Sequence, residues 1–152
     1  MTTIQTVGLL GLGKMGCPMA KHIIAAGYRV IGYDPLSDAC GAAAALGARI
    51  AGSPREVAQA SDLVVIVVGF DSEVEAVLYG KNGVMEAARP GLTVAVGSTI
   101  APRTAVRLAA RAAAQGVVLL DIPLTRGEAA AHAGTLLILG AGDEQVFEAS
   151  RP

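Results

Sequence analysis

The chain is 152 residues long, with 12 basic and 13 acidic side chains and a formal net charge of −1. A hydrophobic share of 53% against 16% charged excludes a disordered chain, and this length buries a core without disulfide or metal staples. So even a balance offers no basic face of the size that nucleic acid or an anionic membrane requires, and 3% aromatic residues argue against base-stacking platforms.

Cys17 and Cys40 stand in separate segments, with no CxxC pair and no His at zinc spacing. They read as two reduced thiols in a reducing compartment, and no metal site is expected. Met1 to Thr6 carries no basic leader region. The longest apolar run, Leu63 to Val68, is far short of a membrane span. A cytoplasmic protein is expected.

Short β-branched runs alternate with Ala-rich stretches of helical spacing. Thr6 to Leu10 reads as a buried strand, and Met15 to Ala26 as a helix with Gly27 as its stop. Tyr28 to Tyr33 is a strand, Ser37 to Leu46 a helix closed by Gly47, and Arg49 to Ala51 a short strand. Ser53-Pro54-Arg55-Glu56 is a capping box with proline at the first helical position, opening a helix to about Ala60. Asp62 to Val68 is the most apolar strand and belongs at the centre of a parallel sheet. Ser72 to Leu78 reads as a helix capped by Asp71, and Leu92 to Val96 as a strand. Pro102 to Gln115 is a helix with Val106, Leu108 and Ala109 facing inward. Val117 to Leu120 and Leu136 to Leu139 are strands, and a helix begins at Asp143. Strand, helix, strand, repeated, means parallel pairing with right-handed crossovers.

One motif carries chemistry. The first strand runs into Gly11-Leu12-Gly13-Lys14-Met15-Gly16, a helix opens there, and Asp34 lies 21 residues beyond Gly13 at the end of the next strand. Strand, G-x-G-x-x-G, helix and a distal acid form the dinucleotide fingerprint. Gly11 allows the tight turn, Gly13 lets a pyrophosphate approach the backbone, and Gly16 lets the helix pack closely. Free N–H groups and the positive helix end hold the phosphates. Asp34 would accept from the adenosine ribose hydroxyls and repel a 2′-phosphate, and no Arg or Lys follows in Pro35-Leu36-Ser37-Asp38. NAD is therefore expected rather than NADP; the alternative for Asp34 is a turn acid before Pro35. The fold expected is α/β, a Rossmann-type doubly wound, mainly parallel sheet with helices on both faces.

Val7-Gly8-Leu9-Leu10-Gly11-Leu12-Gly13-Lys14-Met15-Gly16-Cys17-Pro18-Met19-Ala20 resembles the opening of the β-hydroxyacid dehydrogenases. Further motifs agree in order. Gly97-Ser98-Thr99-Ile100-Ala101-Pro102 resembles the family's S-T-I-x-P loop. Asp121-Ile122-Pro123-Leu124-Thr125-Arg126-Gly127 resembles its D-A-P-V-S-G-G substrate loop, and Gly134 to Asp143 its G-T-L-x-I-M-x-G-G-D strand. The resemblance implies hydride transfer between a nicotinamide and a small β-hydroxy acid, 3-hydroxyisobutyrate-like or 2-hydroxy-3-oxopropionate-like. It places Ser98 and Thr99 near the nicotinamide and its ribose, with Thr99 favoured, and Gly69-Phe70 along the cofactor. Thr125 stands at the family's substrate-binding Ser and would hydrogen-bond the acid, with backbone donors around Gly127.

Arg126 departs from the second position of the S-G-G pattern. Its fork of donors suits a carboxylate or phosphate; the alternatives are solvent or a pair with Glu128. Thr125 has the alternative of an ordinary loop threonine. His22 and His132 read as helix-surface residues rather than bases. The family's proton-transfer Lys lies on a second, all-helical domain that also carries dimerisation. None of Lys14, Lys21 and Lys81 matches that motif, so no catalytic residue is expected here and the chain alone should be inactive. The chain ends within the helix begun at Asp143, so a domain truncated near its C-terminal end is expected, with a sheet edge left exposed. Two other readings stay open: a non-catalytic dinucleotide-binding module, and an enzyme like the imine reductases, which resemble this family without its Lys.

Overall fold

The computed structural model describes residues 3–151. Met1, Thr2 and Pro152, at the ends of the segments read for a leader and for truncation, lie outside the described residues. The first half runs β1 (Thr6–Leu10), α1 (Gly16–Ala25), β2 (Arg29–Tyr33), α2 (Ser37–Ala45), β3 (Arg49–Ile50), α3 (Pro54–Gln59) and β4 (Leu63–Ile66). It continues with α4 (Asp71–Tyr79), a 3-10 turn at Val84–Ala87, β5 (Thr93–Val96), α5 (Pro102–Ala113) and β6 (Val118–Asp121). Last come β7 (Leu124–Thr125), α6 (Gly127–Ala133), β8 (Leu137–Ile138) and α7 (Glu144–Ala149).

Six strands form a parallel sheet in the order β3-β2-β1-β4-β5-β6. The chain works outward from β1 in one direction, then returns to β4 and works outward in the other. Leu10 at the end of β1 lies beside Tyr33 on one side and Ile66 on the other. The segment after Leu10 therefore opens where the strand order reverses, the crevice in which open α/β sheets bind ligands.

Alternation along the central strands feeds two cores. Val64 and Ile66 point to one face with Leu10, Val94 and Val96, against Val57, Val74, Leu78 and Leu108 of α3, α4 and α5. Leu63 and Val65 point to the other with Val7 and Leu9, against Ala20 of α1 and Ala43 of α2. Each strand is apolar throughout because both its faces are covered.

Three local expectations are corrected. Asp71 is the first residue of α4 rather than its cap, the cap position being Phe70. The Asp71 carboxylate instead accepts from the Ala101 N–H at 3.2 Å and bonds Thr104. The Thr104 hydroxyl, before the other contacts, holds this carboxyl below the usual carboxylate range. Val106 is 72% exposed, whereas Leu108 is fully buried. Residues two apart on a helix lie about 200° apart around its axis, so the two cannot share the inward face. The far edge of the sheet is not left wholly open, because Ala141 pairs antiparallel with Asp121 through hydrogen bonds of 2.9 and 2.8 Å. The capping box forms, Ser53 Oγ accepting from the Glu56 N–H at 3.2 Å, with the Glu56 carboxylate reaching back to the Gly52 N–H at 2.9 Å.

Candidate functional site at the strand ends

The three motif glycines meet different surroundings. Gly11 has φ +95°, donates its N–H to Tyr33 O at 3.0 Å, and has no room for a Cβ, which would overlap the Val67 carbonyl oxygen. A Cβ on Gly16 would overlap the Gly11 carbonyl oxygen, so the first turn of α1 sits directly on the strand end. A Cβ on Gly13 would meet no atom within 4 Å. The fold needs glycine at positions 11 and 16 and has no steric use for it at 13. Gly13, Lys14 and Met15 donate their N–H groups to no acceptor among the described residues. The turn thus presents unpaired donors toward open space, a cradle of the polarity a pyrophosphate needs.

Asp34 closes one side of this cradle. Its Oδ2 accepts from the Leu12 N–H at 2.8 Å and its Oδ1 from the Leu36 N–H at 2.9 Å. The second bond is the Asx turn of an acid before Pro35; the first ties the carboxylate to the glycine turn. A carboxylate has about four lone-pair sites, so both oxygens retain acceptor capacity toward solvent. Leu12 itself is core: its side chain is buried against Gly32 and its N–H is committed to Asp34.

Across the switch point, Gly69 and Phe70 are exposed beyond β4, and Glu73 accepts from the Gly69 N–H at 2.7 Å. Ser98 and Thr99, adjacent in sequence, part company. Ser98 is only 4% exposed, and its Oγ accepts from the Val68 N–H at 2.8 Å, bracing the ends of β4 and β5. Thr99 is exposed with no partner for its hydroxyl among the described residues.

The loop after β6 is brought to the same end of the sheet. Leu124 touches the space above Gly97, where an added Cβ would lie 3.4 Å from its Cγ. Farther on, Glu128 Oε2 lies 3.8 Å from Lys14 Nζ, tying the start of α6 to the glycine turn. α6 also packs on α1, where His22 Nε2 bonds the His132 carbonyl oxygen at 2.9 Å. Thr125 lies in the antiparallel β7–β8 pair and donates its hydroxyl proton to Leu137 O at 3.0 Å. That bond uses its hydroxyl proton, while its oxygen keeps acceptor capacity toward a substrate hydroxyl. Arg126 pairs with neither solvent alone nor Glu128: its Nη1 donates to Thr135 O at 3.2 Å, and its backbone is left-handed, φ 72° and ψ 3°. Gly127 follows with φ +67° and open space around it.

Glu128, a possible partner of Arg126 by its place in the sequence, lies instead across from Lys14, a pairing that is purely tertiary. Asp121 was named only as part of a motif; it ends β6, and burial raises its carboxyl above the usual range. A cavity of about 1010 Å³ lies on the sheet face between α1, β8 and α7, lined by His22 but by none of the glycine-turn residues. The assembled residues instead form an open ledge along the strand ends. Among the described residues no three metal-ligating side chains converge, and no helix is long and apolar enough to cross a membrane.

The strand order and the cradle at its reversal define a dinucleotide-binding α/β domain. Residues 6–152 match the family described as the NAD binding domain of 6-phosphogluconate dehydrogenase, and the chain belongs to that family. A probable mitochondrial 3-hydroxyisobutyrate dehydrogenase of Dictyostelium discoideum is 37% identical over 97% of this chain and 46% of its own length. The 2-hydroxy-3-oxopropionate reductase of Escherichia coli is 38% identical over 96% of this chain and 50% of its own. The structure of Mycobacterium tuberculosis 3-hydroxyisobutyrate dehydrogenase with L-serine superposes with a TM-score of 0.92 at 34% identity, covering 98% of this chain and 50% of that one. The chain spans about half the length of these relatives.

Proposed function

We propose that this chain is the cofactor half of a dehydrogenase acting on a small β-hydroxy acid, 3-hydroxyisobutyrate-like or 2-hydroxy-3-oxopropionate-like, with NAD rather than NADP. The observation that carries the reading is Gly13, a glycine for which the folded chain has no steric need, set among unpaired N–H donors. The N–H groups of Gly13, Lys14 and Met15 would hold the pyrophosphate, and Asp34 would accept from the ribose and repel a 2′-phosphate. Thr99 offers the free hydroxyl on the nicotinamide side, and the exposed ring of Phe70 an apolar wall beside it. When bound, the nicotinamide supplies the hydride donor or acceptor. The substrate loop would orient the acid, the backbone N–H of Gly127 donating to its carboxylate and the Arg126 guanidinium adding a further set of donors. The names of the two relatives support the substrate class.

Proton transfer and exclusion of water are assigned to a further half carrying a Lys, as the family resemblance implies. The open ledge supports this, because Gly13, Phe70, Thr99 and Arg126 along it are all exposed. The chain alone would then bind cofactor without turnover: loss of a general base removes about 10²–10⁴-fold in rate, and an unfixed substrate removes more. Any self-association would follow from that half too. Two free thiols suit a reducing compartment such as the cytoplasm.

Calorimetric titration tests the reading. NAD should bind more tightly than NADP, and Asp34→Ala should weaken NAD about tenfold or more, the worth of a charge-assisted hydrogen bond, while narrowing the gap to NADP. Tighter binding of NADP to the unaltered chain would overturn the cofactor assignment.

A further inference from the structure

Arg126 is the cation of the substrate loop that the molecule leaves without a carboxylate. The acid nearest in sequence, Glu128, is already flanked by Lys14 and His132, each at 3.8 Å. Among the described residues, no ion pair reaches Arg126. One of its five N–H donors goes to the Thr135 carbonyl, which fixes the direction of the fork and leaves the rest free. Among the described residues the Lys14 ammonium has Glu128 within ion-pair reach, whereas the Arg126 guanidinium has no carboxylate there. The residue also sits in a left-handed backbone, φ 72°, that favours glycine, and glycine is what the resembling loop pattern has there. A side chain kept in a conformation that resists side chains points to a use for that side chain.

The use follows from counting charges. A loop of the S-G-G kind carries no cation, and its backbone donors serve one carboxylate. Here the Gly127 N–H stays in place, the Thr125 hydroxyl proton is committed to Leu137, and one full positive charge has been added. We infer that Arg126 is a specificity-determining residue that receives a second anionic group, a carboxylate or a phosphate, so that the preferred substrates are β-hydroxy acids bearing two negative groups. The planar fork binds such groups bidentately and distinguishes them from a hydroxyl or methyl at the same place. The inference rests on the proposed function of the same site.

The test is a titration of the NAD-saturated chain, followed by amide chemical shifts, with 3-hydroxybutyrate, 3-hydroxyglutarate and 3-hydroxy-4-phosphooxybutyrate. Either acid with a second anionic group should bind about tenfold more tightly than the monoacid, with shifts centred on residues 125–128, and the stronger of the two identifies the group as carboxylate or phosphate. Arg126→Gln should bring all three acids to equal affinity, Arg126→Lys should keep part of the preference, and Arg111→Leu on α5 should keep all of it. Arg126→Gly should lose the preference while raising the melting temperature, a combination that a purely structural arginine would not produce. Equal affinity for acids with one and with two anionic groups in the unaltered, NAD-bound chain would overturn the inference and leave the cofactor reading standing. Failure of NAD to bind at all would overturn both.

Discussion

Replacing each motif glycine in turn by alanine separates what the fold needs from what a ligand needs. At Gly11 the added methyl meets the Val67 carbonyl, and φ +95° is itself unfavourable for an L residue. The backbone term is about 1–2 kcal/mol, and overpacking typically adds about 1–3 kcal/mol. At Gly16 the methyl meets the Gly11 carbonyl oxygen, a backbone atom that cannot rotate away. Both variants should lose about 3 kcal/mol, which in a domain of this size lowers the melting temperature by roughly 6–12 °C. At Gly13 the methyl meets nothing, and the position is absent from those with positive φ. Gly13→Ala should therefore melt within a few degrees of the unaltered chain, even slightly above it, since alanine restricts the unfolded chain. NAD affinity should fall in Gly13→Ala and vanish in Gly13→Val, whose branched side chain fills the cradle. Thermal melts followed by circular dichroism, paired with NAD titrations, give both readings. If Gly13→Ala melts as low as the other two, or if Gly13→Val binds NAD undiminished, the glycine belongs to the fold and the cradle argument fails.

Arg89 donates from Nη1 to Ala58 O at 2.8 Å and from Nη2 to Ser61 O, holding the chain where α3 gives way to β4. Arg89→Ala strands both carbonyls and should cost about 1–3 kcal/mol, read as a lower urea midpoint at unchanged slope. Asp121 has its carboxyl raised above the ordinary 3.8 by burial, so in the window just above that value the unfolded state releases its proton first and stability falls as pH rises. Asp121→Asn should therefore be more stable than the unaltered chain at neutral pH and indistinguishable from it below that window; melts showing no pH-dependent difference would contradict the assignment of the shift to burial.

The parallel core was legible because β1, β4 and β5 announce themselves as runs of Val, Ile and Leu, and because Gly27, Gly47 and Gly116 stop the helices between them. The turn chemistry was legible for the same reason: Gly11 and Asp34 act through backbone conformation and a distance along the chain that two short strands fix. What the sequence hid is tertiary. β7 and β8 have two residues each, too few for any period to show. Two serine and threonine hydroxyls that the motifs offer as ligand contacts also bond within the protein, Ser98 accepting from the Val68 N–H and Thr125 donating to the Leu137 carbonyl. A hydroxyl's partner lies wherever the fold brings it, and local spacing carries no trace of that. Val106 failed for a plainer reason, since two inward residues were placed at a separation that a helix turns to opposite sides.

The two halves of the site rest on ground of different firmness, and hydrogen exchange should resolve them. β1 and β4 contribute Leu9, Leu10, Val64 and Ile66, all fully buried, and carry the glycine turn. The segment beyond α6, which pairs with the strand before Arg126, is built otherwise. α7 buries no residue, and Leu137, Ile138 and Leu139 are 44%, 43% and 53% exposed beside the large apolar groove. Amides of β1, β4 and β5 should exchange only through global unfolding, at an opening cost of about 5–15 kcal/mol. Those of β7, β8 and α7 should exchange through smaller openings, well below that value. NAD then provides an internal control. Ligand at a hundred times its dissociation constant adds about 2.7 kcal/mol to every opening that destroys the site. The central strands should gain that full increment. α7, which opens while the glycine turn stays folded, should gain none. Equal protection of α7 and β4 without ligand, or an equal gain on adding NAD, would mean that the domain opens as one unit and that the substrate loop shares the stability of the cradle beside it.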